Sequence, residues 1–247
     1  GQAGYRDAAG ALAKLHDFRD SVVVKALPQR GRTKLDQLMP SLIEAAAQLQ
    51  DPDTTLDRLL RLIVAIVRRT AYLDLLVENP LALSQLVRLV GESSWVVSQL
   101  IRQPLLLDEL LDPRRLYSPL RSSELQAELR SLLEALGDDD LEQEMERLRQ
   151  FSQGNRLRVA AADIVGAIPL MVVSDLLTEI AEVTLQRFDR DIDVLHPSRA
   201  ALGCASLLGR LRAARVDVFH ARTEFGSVPR SLQELREVRS RLLQVAD

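Results

Sequence analysis

Apolar residues in this sequence recur three and four positions apart, and most such runs are closed by a proline, a glycine or a small polar residue. Spacing of that kind places one apolar stripe on a helix and leaves no continuous apolar face on a strand. Leu, Ala, Arg, Glu and Gln dominate, alternating β-branched stretches are nearly absent, and aromatic residues make up 4% of the chain, so helix is favoured over strand almost everywhere. The expected fold is all-α: an irregular multihelix bundle with short helical hairpins.

The start and stop signals subdivide it. Asp53 is expected to cap a helix running to about Val77, with Leu56, Leu59, Leu60, Ile63, Val67, Leu73 and Leu76 on one face. Asn79-Pro80 opens the next helix and Gly91 closes it. Ser93 or Ser94 caps a short helix to about Arg102, Gln103-Pro104 starts another, and Asp112-Pro113 ends that one. Ser122-Ser123 begins a helix to Ala135, stopped by Gly137, and the acidic triplet Asp138, Asp139 and Asp140 suits the start of the following helix, expected to reach about Gln153. From Arg156 to Arg187 the sequence is least polar and divides into two helices at Gly166 and Pro169, with Ser174 as cap and Asp175 in the first turn of the second. Residues 189 to 199 read as a charged connection and Ala200 to Ala214 as a helix. Val216 to Pro229 is the one stretch open to strand or irregular structure, and Ser231-Leu232-Gln233-Glu234 matches a capping box before a last amphipathic helix. Residues 79–86 resemble residues 103–110 at an offset of 24 positions; two copies fall short of a solenoid and read as two similar helical hairpins.

Bulk properties remove several classes of function. With 247 residues, 47% of them hydrophobic, the chain can bury a sizeable core. A formal charge of −3 gives no basic field for nucleic acid. The longest apolar runs fall well short of the roughly 20 residues that span a bilayer. One cysteine, Cys204, excludes an intrachain disulfide framework and, without a signal-peptide pattern, points to the cytoplasm.

Candidate chemistry is sparse. His16, His196 and His220 lack metal-ligand spacing, and Cys204 sits among small and apolar residues as a packed thiol would. Ser174-Asp175 precedes an apolar run and is better read as capping than as a catalytic pair. The clusters Arg68-Arg69, Arg114-Arg115 and Arg210 to Arg215 could grip phosphate, but interspersed acids favour ion pairs on helix surfaces. Trp95, beside Val96 and Val97, reads as a core anchor.

Three blocks carry a family resemblance. Leu35-Asp36-Gln37-Leu38-Met39-Pro40 follows Arg30-Gly31-Arg32, and Tyr72-Leu73-Asp74-Leu75-Leu76 follows Arg69-Thr70. The second block is Gln103-Pro104-Leu105-Leu106-Leu107-Asp108-Glu109-Leu110-Leu111-Asp112-Pro113, and the third runs from Leu157-Arg158-Val159-Ala160 through Asp163-Ile164-Val165-Gly166 to Ser174-Asp175-Leu176-Leu177 and Glu182. In this order and spacing they resemble the middle of the bifunctional bacterial enzymes that adenylylate and deadenylylate glutamine synthetase, over roughly residues 5 to 187. The resemblance implies a helical regulatory region between two nucleotidyltransferase domains, the C-terminal one moving AMP from ATP to a tyrosine of glutamine synthetase with Mg²⁺. It also implies that glutamine and the PII signal protein set the direction. On this basis residues 1–153 are expected to form the helical regulatory region, and residues 154–247 to begin as the opening helices of the transferase domain. From about residue 188 the family pattern is not matched.

Nucleotidyl transfer needs clustered carboxylates around Mg²⁺ beside a glycine turn. In this family the resemblance places them in a Gly-Gly-x-Glu-Leu segment followed by Ser-Asp-x-Asp on a strand, and neither is found here. Asp191-Ile192-Asp193 would put two carboxylates on one face of a strand, but Arg190 stands where the serine would be and no Gly-Gly precedes it. No catalytic, cofactor-binding or metal residue is therefore assigned. The leading expectation is a regulatory module responsive to PII and glutamine; the alternatives are an active transferase with a Mg-ATP site near Asp191 and Asp193, or a helical scaffold without ligands.

Overall fold

The computed structural model describes residues 4–134 and 141–195, and among these every regular element is a helix. The chain divides into two compact units, Gly1–Leu116 and a second beginning at Tyr117.

The first unit contains α1 (Ala8–Asp20), α2 (Val22–Lys25), α3 (Gln29–Ala47), α4 (Pro52–Ile66), α5 (Thr70–Glu78), α6 (Pro80–Glu92), α7 (Ser94–Arg102), a 3-10 helix (Pro104–Leu111) and α8 (Pro113–Leu116). The expected apolar stripe is its core: Leu56, Leu59, Ile63, Val67 and Leu73 are fully buried and Leu60 and Leu76 nearly so. Each such side chain contributes about 1.5–3 kcal/mol when taken out of water. Leu38 and Leu42 of α3 and Leu86, Leu89 and Leu100 of α6 and α7 complete it.

That stripe does not sit on one helix. The chain breaks at residues 67–69, where Arg69 is extended (φ −105°, ψ 90°), so Leu73 and Leu76 belong to α5, which packs on α3 and α6, while α4 packs on α3, α6 and α7. The cap also differs: Asp51 accepts the Thr54 amide at 3.3 Å, and Asp53 instead accepts the backbone N–H groups of Arg6 (3.1 Å) and Asp7 (3.4 Å), strapping the N-terminal segment down. Gly91 lies inside α6. Its lack of a side chain serves packing, because a Cβ there would come within 2.5 Å of Leu49 Cδ1 and 3.1 Å of Thr55 Oγ1. Ser93 caps α7 as expected, through the Val96 amide.

The similar segments adopt different helices, α in residues 80–86 and 3-10 in residues 104–110. Matching positions are nevertheless the buried ones, Ala82 with Leu106, Leu83 with Leu107 and Leu86 with Leu110. Apolar register is shared between the copies; backbone hydrogen bonding is not.

The second unit packs α9 (Ser122–Glu134), α10 (Leu141–Ile164) and α11 (Leu170–Leu195) around Leu125, Leu129, Leu148, Phe151, Val159, Leu176, Ile180 and Val183. α10 does not end near Gln153 but runs on through Gly154 to Ile164, since Leu157, Val159, Ala160, Ala161 and Ala162 bury with little break in helical register. Gly166, at φ +73°, ends it: its N–H donates to Asp163 and the Ala167 N–H to Ala162, the paired bonds of a left-handed C-terminal cap. α11 then starts at Leu170 after Pro169, so Ser174 is an interior residue whose carbonyl accepts from Thr178 Oγ1 at 2.9 Å, not a cap. Gly137, the Asp138–Asp140 triplet, Ala200 to Ala214, Val216 to Pro229 and the Ser231 capping box lie outside the described residues.

Candidate functional site

A buried polar cluster is the chemically distinctive feature of the second unit. Arg158, on the inner face of α10, has 4% of its side chain exposed, and its Nη1 donates to Glu128 Oε1 and Oε2, both at 3.2 Å. Asn155, one turn earlier and also buried, donates to Glu128 Oε2 at 3.2 Å and to the Phe151 carbonyl, and its Oδ1 accepts from Arg158 at 3.1 Å. Glu128 comes from α9, so the cluster fixes the pairing of α9 with α10. At the start of α9, Glu179 of α11 accepts the Ser122 amide at 2.7 Å and Arg121 Nη1 at 3.2 Å, capping the helix from a neighbouring element. Arg187 of α11 donates to Glu144 of α10 at 2.6 and 2.8 Å. Each helix pair in this unit is thus cross-linked by a charged contact.

A shallow groove of about 260 Å³ runs along α10 past Met145, Leu148, Ser152, Gln153 and Arg156 to Thr184 of α11. Among the described residues its polar lining is amide, hydroxyl and guanidinium.

The residues singled out from the sequence are scattered. His16 is exposed on α1, and Trp95 is buried in the first unit as expected of a core anchor. Ser174 and Asp175 lie within α11. Arg68 and Arg69 are exposed at the α4–α5 break and Arg114 and Arg115 on α8. Residues 191 and 193 fall in the last turns of α11, in helical backbone and not on a strand. Among the described residues no group of three His, Cys, Asp or Glu could hold a metal ion. His196, Cys204, His220 and Arg210 to Arg215 lie outside them.

The Glu128–Asn155–Arg158 cluster was not marked by sequence reading, although it left a signal. Arg158 interrupts the apolar string from Leu157 to Ala162, and a charge inside a buried helical run must find a partner.

Residues 83–192, from within α6 into α11, match the sequence model of the family described as glutamate-ammonia ligase adenylyltransferase. Over this stretch the chain belongs to that family. Three relatives, each named bifunctional glutamine synthetase adenylyltransferase/adenylyl-removing enzyme, extend the likeness. The protein of Thioalkalivibrio sulfidiphilus is 55% identical over 186 residues, that of Nitrosococcus oceani 49% over 185, and that of Pseudomonas syringae pv. tomato 47% over 186. Each alignment covers 75% of this chain and 19% of the relative, so the chain spans about one fifth of the length of the adenylyltransferases it matches. Both compact units and the buried Arg158 cluster contribute residues to the adenylyltransferase match.

Proposed function

We propose that this chain is the central regulatory part of a cytoplasmic glutamine synthetase adenylyltransferase, residues 1–153, joined to the opening helices of its C-terminal transferase domain from residue 154. The observation that carries the reading is similarity of 47–55% identity across 75% of the chain to proteins of that name. In this role the module binds PII or glutamine and passes the effect to a catalytic domain that uses ATP and Mg²⁺ to adenylylate glutamine synthetase. The continuous α10 supports a relay, because a single helix crossing residue 153 joins the two parts without a hinge.

Thermal unfolding of the chain with PII, uridylylated PII or glutamine tests this. A ligand selective for the folded state at about 100 times its Kd adds about 2.7 kcal/mol and raises Tm measurably; no shift with any of the three overturns the regulatory role. A second assay supplies glutamine synthetase and labelled ATP with Mg²⁺. The expected result is no label transfer by this chain alone, and transfer abolished by Asp193→Ala would establish the active-transferase alternative instead.

A further inference from the structure

The segment before α1 is anchored residue by residue at the junction of α3 and α4. Gly4 has φ +68°, and a Cβ there would come 2.7 Å from the Ala47 carbonyl oxygen, so the backbone lies directly against the C-terminal end of α3. Tyr5 donates its hydroxyl to the Ile43 carbonyl at 2.8 Å, and Arg6 Nη2 donates to the Gln50 carbonyl at 3.1 Å. The Asp53 carboxylate takes two successive amides, Arg6 N–H on Oδ2 and Asp7 N–H on Oδ1. Burial, with the Asp53 charge adding to it, raises the Tyr5 phenol, as expected of a ring seated near that carboxylate. Asp7 then caps α1 by accepting the Gly10 amide at 2.8 Å, so the anchored segment and the helix are continuous.

The helix itself is held less by packing. α1 packs on α2 and α4 but buries only Ala11 and Phe18 of its 13 residues, whereas α4 buries eight of 15. Lys14 of α1 pairs with Asp57 of α4 at 3.3 Å, with both side chains about half exposed, and exposed pairs of this kind contribute little. Asp57 stands one turn after Asp53, so a single stripe of α4 grips both the segment and the helix. An element with few buried apolar groups opens before the core does, and hydrogen bonds to an ionised carboxylate are the strong ones holding it.

We propose that Gly4–Asp7 and α1 form a flap that opens from α4 as one piece while α3 to α7 stay folded, with the Asp53 carboxylate as its latch. Closed, the flap covers the α4 stripe around Asp53 and Asp57; open, it bares that stripe together with Phe18. The proposal stands on this geometry and does not depend on the adenylyltransferase reading.

Hydrogen exchange of the full chain, followed by mass spectrometry, tests it. In the parent, α1 should exchange at least about tenfold faster than α6 and α7. Asp53→Ala should speed α1 by about tenfold more, as loss of hydrogen bonds to a charged acceptor does, and leave α6 and α7 within about twofold. Asp53 also lies in the first turn of α4, so two further variants leave α4 untouched. Tyr5→Phe removes the hydroxyl bonded to Ile43, and Gly4→Ala forces the backbone off Ala47 without removing any polar side chain; each should speed α1 several-fold. Exchange of α1 unchanged by Asp53→Ala, or by both Tyr5→Phe and Gly4→Ala, overturns the latch. Equal acceleration of α1, α6 and α7 overturns the flap, because residues 4–20 would then open only with the whole unit.

Discussion

Replacing Glu128 by alanine isolates the energetics of the buried cluster. The change withdraws both oxygens that hold Arg158 Nη1 at 3.2 Å and the acceptor of Asn155 Nδ2. Breaking a buried pair from one side costs about 3–5 kcal/mol, because the remaining charge stays desolvated. Two features place this site at the low end, about 3 kcal/mol: Glu128 has 19% of its side chain exposed, and Asn155 Oδ1 still accepts from Arg158. With a urea m-value of about 1–3 kcal/mol/M, the midpoint of the transition followed by circular dichroism falls by about 1–3 M. Hydrogen exchange should localise the loss to α9 and α10. The double variant Glu128→Leu, Arg158→Met removes both charges while keeping apolar volume, and should be less destabilised than Glu128→Ala. A cost below about 1 kcal/mol for Glu128→Ala, or a double variant as costly as the two single changes added together, would refute the claim that the pair holds the helices through a desolvated charge.

Gly166→Ala should destabilise by about 1 kcal/mol in urea titration, since φ +73° disfavours any Cβ and nothing lies within 4 Å to clash; an unchanged midpoint would contradict the left-handed cap. Gln99 is 4% exposed and its Nε2 has no hydrogen-bond partner among the described residues, so Gln99→Met should stabilise by about 1 kcal/mol, and a loss of Tm would show that the amide is satisfied. The hydrogen bond from Lys34 holds the Asp74 carboxyl below the usual carboxylate range, and that same bond raises Lys34. Asp74's stabilisation is therefore present above its unfolded pKa of about 3.9 and lost as pH falls through the lower folded value; Lys34's is present below about 10.4 and lost as pH rises through its higher folded value. Stability measured against pH should fall at both ends, and Asp74→Asn should flatten both limbs; limbs unchanged in that variant would remove the pair from the account.

Helix identity and burial were legible because both follow from one periodicity. Leu56 to Leu76 keeps a single apolar register, and every predicted member of it is buried. What that register could not carry is which neighbour each turn packs against. The break at residues 67–69 contains neither glycine nor proline, so no local stop signal marks it. The opposite error occurred at Gln153, where an end was expected, yet Gly154 is buried inside α10 and the apolar run beyond it offsets the weaker helix propensity of glycine. Local signals mark where a helix can stop, and tertiary packing decides whether it does. The candidate site shows the same division of information. Arg158 can be recognised in the sequence as a charge requiring a partner, but Glu128 stands 30 positions earlier on another helix, among acids such as Glu124 and Glu134 that sequence spacing alone does not rank. Only the packing of α9 on α10 selects it.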